Sequence, residues 1–322
     1  MPPSPLTTVY KEKLSSKITT DIYLPNPNGL THKKYPVLIN IHGGAFMLGH
    51  SGMVSMPQID DCLARGWIVV VPNHRLCPGV NILNGPVEDC RDLLAWVYDS
   101  LEEFLRQEGK GEYGVDSEKV MAFGTSSGGF LALALGYDTI RPPRAILNFY
   151  GAVHFTHPFW RSPLPKMLSS IPQFPEQFLK KVYDEHPVPT DSSISLEGQM
   201  ESGRSSGPDF SRPRDAFALT QIANGRVLDA CFPGGDVRDI DPVHRVREGF
   251  PPTCVVHGAE DSKVPVFLSY ELLRVLRGYG VECEFVEVPG EDHTFAMGMQ
   301  VGSRTWELQR MGFDFLERVI TR

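Results

Sequence analysis

One serine lies between two glycines in the stretch KVMAFGTSSGGFLALAL, residues 119–135. A short apolar run precedes Ser126 and a helix-like pattern follows it, which is the strand–turn–helix context of a G-x-S-x-G nucleophile elbow. The serine of such an elbow has a strained backbone, so Gly124 and Gly128 would be needed to avoid collisions. A glycine-rich turn that only packs tightly is the alternative. Because of the context, we interpret Ser126 as a nucleophile placed at the positive end of the following helix.

A serine hydroxyl is a weak nucleophile at neutral pH, so a base must accept its proton and an acid must orient that base. In an open parallel sheet both partners should lie in loops after later strands. Asp261 follows the apolar run TCVVHG, and His293 follows ECEFVEVPG. We therefore predict His293 as the base and Asp261 as the orienting acid. Glu260 and Asp292 are rivals for the acid, and His293 taken alone could be a surface-loop histidine.

A tetrahedral oxyanion needs hydrogen-bond donors that are already in place, and backbone N–H groups of a glycine turn can supply them. The stretch NIHGGAF, residues 40–46, follows an apolar run and has this form. We predict the N–H groups of Gly44, Ala45 and Ser127 as the donors. A tight turn without a ligand is an equally good interpretation of the stretch taken alone.

The elements that must position these residues are visible as short apolar runs, at residues 36–43, 67–73, 119–124, 144–151, 253–258 and 282–290. Apolar runs without alternation are typical of strands buried on both faces, as in a parallel sheet. Helical patterns lie between the runs, most clearly over residues 86–107, where apolar residues recur every three or four positions and Pro86 takes the first position. This alternation predicts an α/β fold with a doubly wound, mostly parallel sheet.

The segment 152–250 breaks this alternation. Its first part is rich in aromatic residues and prolines, and residues 190–215 are polar and rich in serine and glycine, like a mobile loop. We interpret the segment as an insertion between two strands of a single domain, residues 1–322.

The composition excludes several functional classes. The net charge is −8 and no basic stretch is interleaved with aromatic residues, so we expect no nucleic-acid partner. No stretch approaches the roughly 18 apolar residues of a membrane span, and the first residues lack the apolar core of a signal peptide. The expectation is a cytoplasmic protein, a monomer or homodimer, without a membrane partner.

Cysteine and histidine spacing indicates neither disulfides nor metal sites. The six cysteines form no C-x-x-C pair, and a chain of 322 residues can fold without covalent cross-links, so we expect free, mostly buried thiols. The ten histidines form no H-E-x-x-H motif and no Cys/His cluster. We expect no metal and no other cofactor.

Together these motifs resemble the α/β-hydrolase superfamily and, within it, the hormone-sensitive-lipase-like carboxylesterases. Residues 42–45, HGGA, are similar to the HGGG of that group, and residues 124–129, GTSSGG, to its GDSAGG. VVPNHRLCPG with VEDCRDLLAWV resembles its stretch DYRLAP followed by DA and W. The likeness covers residues 35–151 and 240–320. It implies that Ser126 is the nucleophile, His293 the general base and Asp261 the orienting carboxylate.

The resemblance also guides the substrate and leaves three functions open. In this superfamily an insertion after the sixth strand commonly forms a cap, which implies that its aromatic residues line a pocket for a small to medium apolar substrate: Phe155, Phe159, Trp160, Phe174 and Phe178. Packing of the cap against the core is the alternative role. The first function is hydrolysis of a carboxylic ester or lactone through an acyl-enzyme. The others are acyl transfer, thioester or amide cleavage or product release in secondary metabolism, and non-catalytic binding of a small molecule.

Overall fold

Eight strands form one sheet in the part of the chain that the structure, a computed structural model, describes: residues 4–27, 33–194 and 207–322. The strands are β1 Leu6–Lys13, β2 Ser16–Tyr23, β3 Lys33–Ile41, β4 Ile68–Pro72, β5 Tyr113–Thr125, β6 Ile146–Phe149, β7 Thr253–Gly258 and β8 Cys283–Val288. Their order across the sheet is β1-β2-β4-β3-β5-β6-β7-β8. All pairs from β4 to β8 are parallel, whereas β1–β2 and β2–β4 are antiparallel. The predicted fold class is confirmed.

Helices cover both faces of the sheet: α1 Met56–Ala64, α2 Glu88–Asp99, α3 Leu101–Gln107, α4 Ser127–Ala134, α5 Pro165–Leu168, α6 Glu176–Leu179, α7 Pro213–Ala223, α8 Val227–Cys231, α9 Pro242–Arg245, α10 Phe267–Gly278 and α11 Arg304–Ile320. Neighbouring strand residues belong to different hydrophobic clusters, as the two-residue period of a strand requires. Leu38 packs with Ile59 and Phe313, from α1 and α11, whereas Ile39 packs on the other face with α2, α4 and α10. None of the described helices is long and apolar enough to span a bilayer.

The antiparallel hairpin β1–β2 has no counterpart in the sequence prediction. Leu14 and Ser15 connect the two strands, and both have positive φ angles, 50° and 65°. Two-residue turns of this type usually contain Asn-Gly or Asp-Gly, so the sequence lacks the ordinary signal. In β1, half-buried and exposed residues alternate in part, so the strand does not form an apolar run either.

The helix predicted over residues 86–107 is interrupted. Pro86 lies within a π-helical turn, Leu83–Val87, rather than at the first position of an α-helix. α2 ends at Asp99, and Ser100 leaves the helical region with φ −133° before α3 begins. Serine competes for backbone hydrogen bonds and is a poor residue for the interior of a helix.

Between β6 and β7 the described residues contain no strand, only short helices and loops. Part of the predicted polar loop, residues 195–206, lies outside the described residues. The rest of the insertion packs on the hydrophobic cluster that contains α2, α4 and α10, and so lies on the same face of the sheet as these helices.

Candidate active site

The turn between β5 and α4 forces Ser126 into an uncommon backbone conformation, φ 53° and ψ −122°. Glycines make this turn possible because the backbone approaches itself closely. A Cβ on Gly124 would lie 2.1 Å from the carbonyl oxygen of Gly128, and a Cβ on Gly128 would lie 2.1 Å from that of Ile41. Both contacts are with backbone atoms, so neither could be relieved by rotating a side chain. The hydroxyl of Ser126 is thereby held, half-buried, beyond the end of β5.

Three of the predicted residues meet at the carboxyl ends of β5, β7 and β8. His293 Nε2 lies 3.0 Å from Ser126 Oγ, and His293 Nδ1 lies 2.6 Å from Asp261 Oδ2. Because the Asp261 carboxylate accepts from Nδ1, the ring proton is on Nδ1, and the unprotonated Nε2 can accept the serine proton. His293 is 5% exposed, and its ring packs 4.7 Å from that of Tyr150. The arrangement is a complete Ser–His–Asp hydrogen-bond chain.

Asp261 is held ionised by its surroundings. Burial alone would raise the pKa of this carboxyl, but the charge of His293 and hydrogen bonds from His257, His293 and the backbone of Val264 outweigh burial and hold the pKa well below its usual range. Its Oδ1 accepts from the N–H groups of Lys263 and Val264, at 2.9 and 2.7 Å. The other oxygen, Oδ2, faces the rings of His293 and His257.

The two rival acids lie elsewhere. The Asp292 carboxylate accepts from the N–H groups of Ser262 and His293, at 2.8 and 2.7 Å, and from the Ser262 hydroxyl. It therefore ties the Asp261 loop to the His293 loop through backbone and hydroxyl groups, without contacting the imidazole. Glu260 is exposed. Of the three candidates, Asp261 makes the contact with the imidazole.

A second histidine, which the sequence analysis did not single out, contacts the same carboxylate. His257 is fully buried, and its Nε2 lies 3.1 Å from Asp261 Oδ2 and 2.7 Å from the carbonyl oxygen of Val264. A carbonyl oxygen can only accept, so Nε2 carries the proton, and the Ser269 hydroxyl, 2.8 Å from Nδ1, donates to the ring. The only signal in the sequence is that His257 lies near the end of the apolar run before Asp261, a position also typical of a packed core residue.

The glycine loop, residues 42–49, follows β3 and faces the start of α4. Gly44, Ala45 and Phe46 all have positive φ angles, 113°, 52° and 66°. Among the described residues, no group of the chain accepts a hydrogen bond from the N–H of Gly44, Ala45 or Ser127. The Ser127 hydroxyl accepts a hydrogen bond from the N–H of Phe46 at 3.3 Å and so links α4 to the glycine loop. Free N–H groups in a glycine turn beside the serine are what an oxyanion site requires.

Two stacked histidines support the glycine loop. The rings of His42 and His74 lie 4.6 Å apart and nearly parallel, and both are buried. Burial lowers the pKa of both, and the neighbouring His74 lowers that of His42 further. A Cβ on Gly49 would lie 2.5 Å from Nδ1 of His42. The histidine of the HGGA stretch is therefore a neutral ring that packs beneath the loop.

The predicted pocket aromatics form two separate groups. Phe155 is buried and packs edge-on against Trp160, 5.3 Å away, and against Phe130 of α4. Phe159 also contacts Trp160, whereas Phe174 packs against Phe178. The contacts of Phe155 are those of a core side chain, and a pocket role for Phe159 and Trp160 remains a prediction. Among the described residues, no group of three or more His, Cys, Asp or Glu side chains could hold a metal ion.

Two family models match separate parts of the chain. The BD-FAE model matches residues 20–142, which contain the glycine loop and the serine elbow, and the prolyl oligopeptidase family model matches residues 235–322, which contain Asp261 and His293. Residues 143–234, between the two matches, contain the whole of β6 and most of the insertion. The two matched regions therefore divide the candidate site between them.

Solved structures of an esterase match nearly the whole chain. Thermogutta terrifontis esterase 2 phosphonylated by sarin is 18% identical, with a TM-score of 0.63, over 99% of this chain and 96% of that one. The butyrate-bound form of the same esterase is also 18% identical, with a TM-score of 0.61. At this identity the likeness establishes the fold.

Curated relatives include non-reducing polyketide synthases. The non-reducing polyketide synthase Preu6 of Preussia isomera is 28% identical over 335 residues, and prhL of Penicillium brasilianum is 29% identical over 351 residues. Each match covers 96% of this chain, which spans only 14% of the length of these relatives. With the sheet order, the elbow and the two family matches, these findings show that the chain has the α/β-hydrolase fold.

Proposed function

We propose that the chain is a serine hydrolase that cleaves carboxylic esters or lactones of small to medium apolar substrates through an acyl-enzyme. The observation that carries this proposal is the continuous series of hydrogen bonds from Ser126 Oγ through His293 to Asp261, with contacts of 3.0 and 2.6 Å. Isolated Ser, His and Asp side chains have many roles, but this order of contacts gives an activated nucleophile. Phe159 and Trp160 are the proposed apolar wall of the substrate site.

Acylation uses all three side chains. Ser126 Oγ attacks the acyl carbon while its proton passes to His293 Nε2, and the carbonyl electrons move onto the oxygen. The N–H groups of Gly44, Ala45 and Ser127 stabilise the resulting oxyanion, whose charge is larger than that of the ground-state carbonyl. When the carbonyl re-forms, the bond to the leaving group breaks, and His293 returns its proton to the leaving oxygen. The products are an alcohol and the Ser126 ester.

Deacylation repeats these steps with water. His293 Nε2 takes a proton from the attacking water, and a second oxyanion forms in the same site. The Ser126 oxygen then leaves and recovers its proton from His293, and a carboxylic acid is released. Asp261 remains ionised throughout and stabilises the imidazolium in both halves of the reaction.

A second candidate is acyl release from a thioester, which the similarity to polyketide synthases favours. The same residues would attack a thioester carbonyl, and the leaving group would be a thiol. An alcohol or amine that replaced water in the second half would make the reaction an acyl transfer.

Labelling with a fluorophosphonate tests the nucleophile. Intact mass should show one adduct on the wild type and none on Ser126→Ala, because the reagent reacts only with an activated hydroxyl. An adduct of the same stoichiometry on Ser126→Ala would contradict the proposed nucleophile. An unlabelled wild type that also leaves a short aryl ester intact would contradict the proposed function and favour non-catalytic binding.

Paired substrates separate the two candidate functions. Two substrates with the same acyl group should be compared by kcat/KM: an aryl oxoester and a thioester formed with a small thiol. Each should be measured with and without an added alcohol. Preference for the oxoester with water as acceptor supports ester hydrolysis. Preference for the thioester, or ester products with the added alcohol, supports acyl release or transfer.

A further inference from the structure

Backbone carbonyls of the glycine loop are held from outside by the insertion. The carbonyl oxygen of Met47 accepts from Arg214 Nη1 at 2.7 Å, and that of Gly49 accepts from the N–H of Ser192 at 2.8 Å. The hydroxyl of Ser192 also accepts from the N–H of Gly49 at 2.8 Å. The thiol of Cys231 lies 3.9 Å from the carbonyl oxygen of Ala45. One side of the loop therefore contacts the insertion, and the N–H groups of Gly44 and Ala45 are left free.

Arg214, in the first turn of α7, makes the strongest of these contacts. The same Nη1 donates to the carbonyl oxygen of Cys77 at 2.7 Å, and the N–H of Cys77 donates to the carbonyl oxygen of Phe46 at 2.9 Å. On its other side the guanidinium contacts the Glu185 carboxylate through Nε and Nη2, at 2.8 and 2.5 Å. Arg214 is only 6% exposed. A buried guanidinium whose three nitrogens all donate fixes direction as well as distance, because its donors lie in one rigid plane.

The loop needs such external support because of its conformation. Ala45 and Phe46 are consecutive residues with side chains, and both have left-handed φ angles, 52° and 66°. That region is unfavourable for residues other than glycine, and it persists only where the surroundings impose it. Without the contacts to Met47 and Cys77, the peptide groups of residues 44–46 could rotate toward ordinary conformations. Their N–H groups would then turn away from the oxyanion position.

We propose that Arg214 is a positioning residue that holds the glycine loop in its oxyanion-binding conformation, so that the insertion contributes to catalysis. The inference rests on the proposed function, since an oxyanion forms only if Ser126 attacks a carbonyl. Arg214 acts through the Met47 and Cys77 carbonyls and does not contact the reacting atoms. Removing it should therefore weaken transition-state binding more than substrate binding.

Four variants test this role. Arg214→Met removes every donor and keeps an apolar stem, whereas Arg214→Lys keeps the charge but has a single donor group for the two carbonyls. Glu185→Gln keeps the guanidinium and its carbonyl contacts while weakening the ion pair. Arg212→Met is the matched control, because Arg212 lies two residues earlier, is exposed and pairs with the exposed Asp209. Circular dichroism and thermal melting identify the variants that fold.

Measurements of kcat, KM and inhibitor affinity separate a role in positioning the glycine loop from a role in substrate binding. For a short aryl ester, Arg214→Met should lower kcat about 10- to 100-fold, less than the 10²–10³ typical of deleting an oxyanion donor outright. The KM should change by less than about threefold, since ground-state binding is not the target. The Ki of an aryl trifluoromethyl ketone, which adds to the serine and forms an oxyanion, should rise by the factor by which kcat/KM falls. Arg214→Lys should lie between Arg214→Met and Glu185→Gln, and Arg212→Met should match the wild type.

Several outcomes would overturn the inference. A folded Arg214→Met with kcat within twofold of the wild type would show that the glycine loop keeps its conformation without Arg214. A rise in KM alone would show that Arg214 acts in substrate binding and not in positioning. If Arg214→Met does not fold, Arg214→Lys decides, and wild-type kcat and ketone affinity there would contradict the proposal. An active, labelled wild type in each of these cases leaves the proposed function standing. A wild type without labelling or turnover would overturn the proposed function and this role with it.

Discussion

The carboxyl edge of the sheet and the inserted segment both contact the candidate site, but they do so in different ways. At the sheet edge, Ser126, Asp261 and His293 each follow a strand, and their side chains meet directly. The insertion instead contacts the backbone carbonyls of another loop, through Arg214 and Ser192. In the proposed mechanism the sheet edge supplies the reacting groups, whereas the insertion restrains the loop that would bind the oxyanion. The two regions should therefore respond differently to substitution.

The largest effect is expected at the nucleophile and its base. Ser126→Ala and His293→Ala should each lower kcat by about 10⁶-fold, because the members of a triad act as a unit. For the same reason the double variant should be no slower than either single variant. Steady-state kinetics on an aryl ester, after contaminating esterase activity has been titrated, would measure this. Additive losses would contradict a shared step.

Substituting Asp261 and Asp292 in turn should distinguish the orientation of His293 from support of the loops. Asp261→Asn should lower kcat about 10⁴-fold, because an amide at this position favours the wrong tautomer of His293. Asp292→Asn removes contacts only to the backbone and hydroxyl of the adjoining loops, so its loss should be far smaller. Kinetics on the same ester gives both values. A greater loss in Asp292→Asn would assign the orienting role to the rival acid.

Close packing at the elbow should make one glycine indispensable for folding. Gly128→Ala places a Cβ 2.1 Å from the backbone of Ile41, and we expect a loss of about 3 kcal/mol or more in unfolding free energy. Gly278 ends α10, and a Cβ added there would meet no other part of the molecule within 4 Å. Gly278→Ala should therefore raise the unfolding free energy by about 0.4–1 kcal/mol. Urea unfolding measures both changes. A Gly128→Ala protein as stable as the wild type would show that the close approach can relax.

The smallest effect is expected at His257, which belongs to the sheet edge but acts as a support. In His257→Phe the Asp261 carboxylate loses a hydrogen-bond donor, becomes more basic and stabilises the protonated imidazole more strongly. The acid limb of the kcat/KM profile should therefore move to higher pH, with about a tenfold loss of rate at its plateau. In His257→Gln an amide N–H can replace Nε2, and the limb should return toward its original position. Lower stability with an unmoved limb in both variants would indicate packing alone.

The sequence carries more information about the sheet edge than about the insertion, and the reason is physical. Strands buried on both faces are continuous apolar runs, so the strands before Ser126 and Asp261 could be located, and the residues after them follow from parallel topology. Arg214 gives no such signal, because the two loop carbonyl oxygens to which it donates lie 137 and 167 residues away. A contact with a carbonyl constrains no residue type on the other side. The hairpin β1–β2 was missed for a related reason, since Leu14 and Ser15 are not residues that mark a tight turn.

The left-handed backbone at Ser126 sets stability against activity when this protein is engineered. A non-glycine residue in such a sparsely populated conformation costs about 1–3 kcal/mol, and glycine would relieve most of that strain. A search that rewards thermal stability alone would therefore favour glycine at the one position whose hydroxyl the proposed reaction requires. Screens for more robust variants should couple survival to turnover, or fix position 126 from the outset.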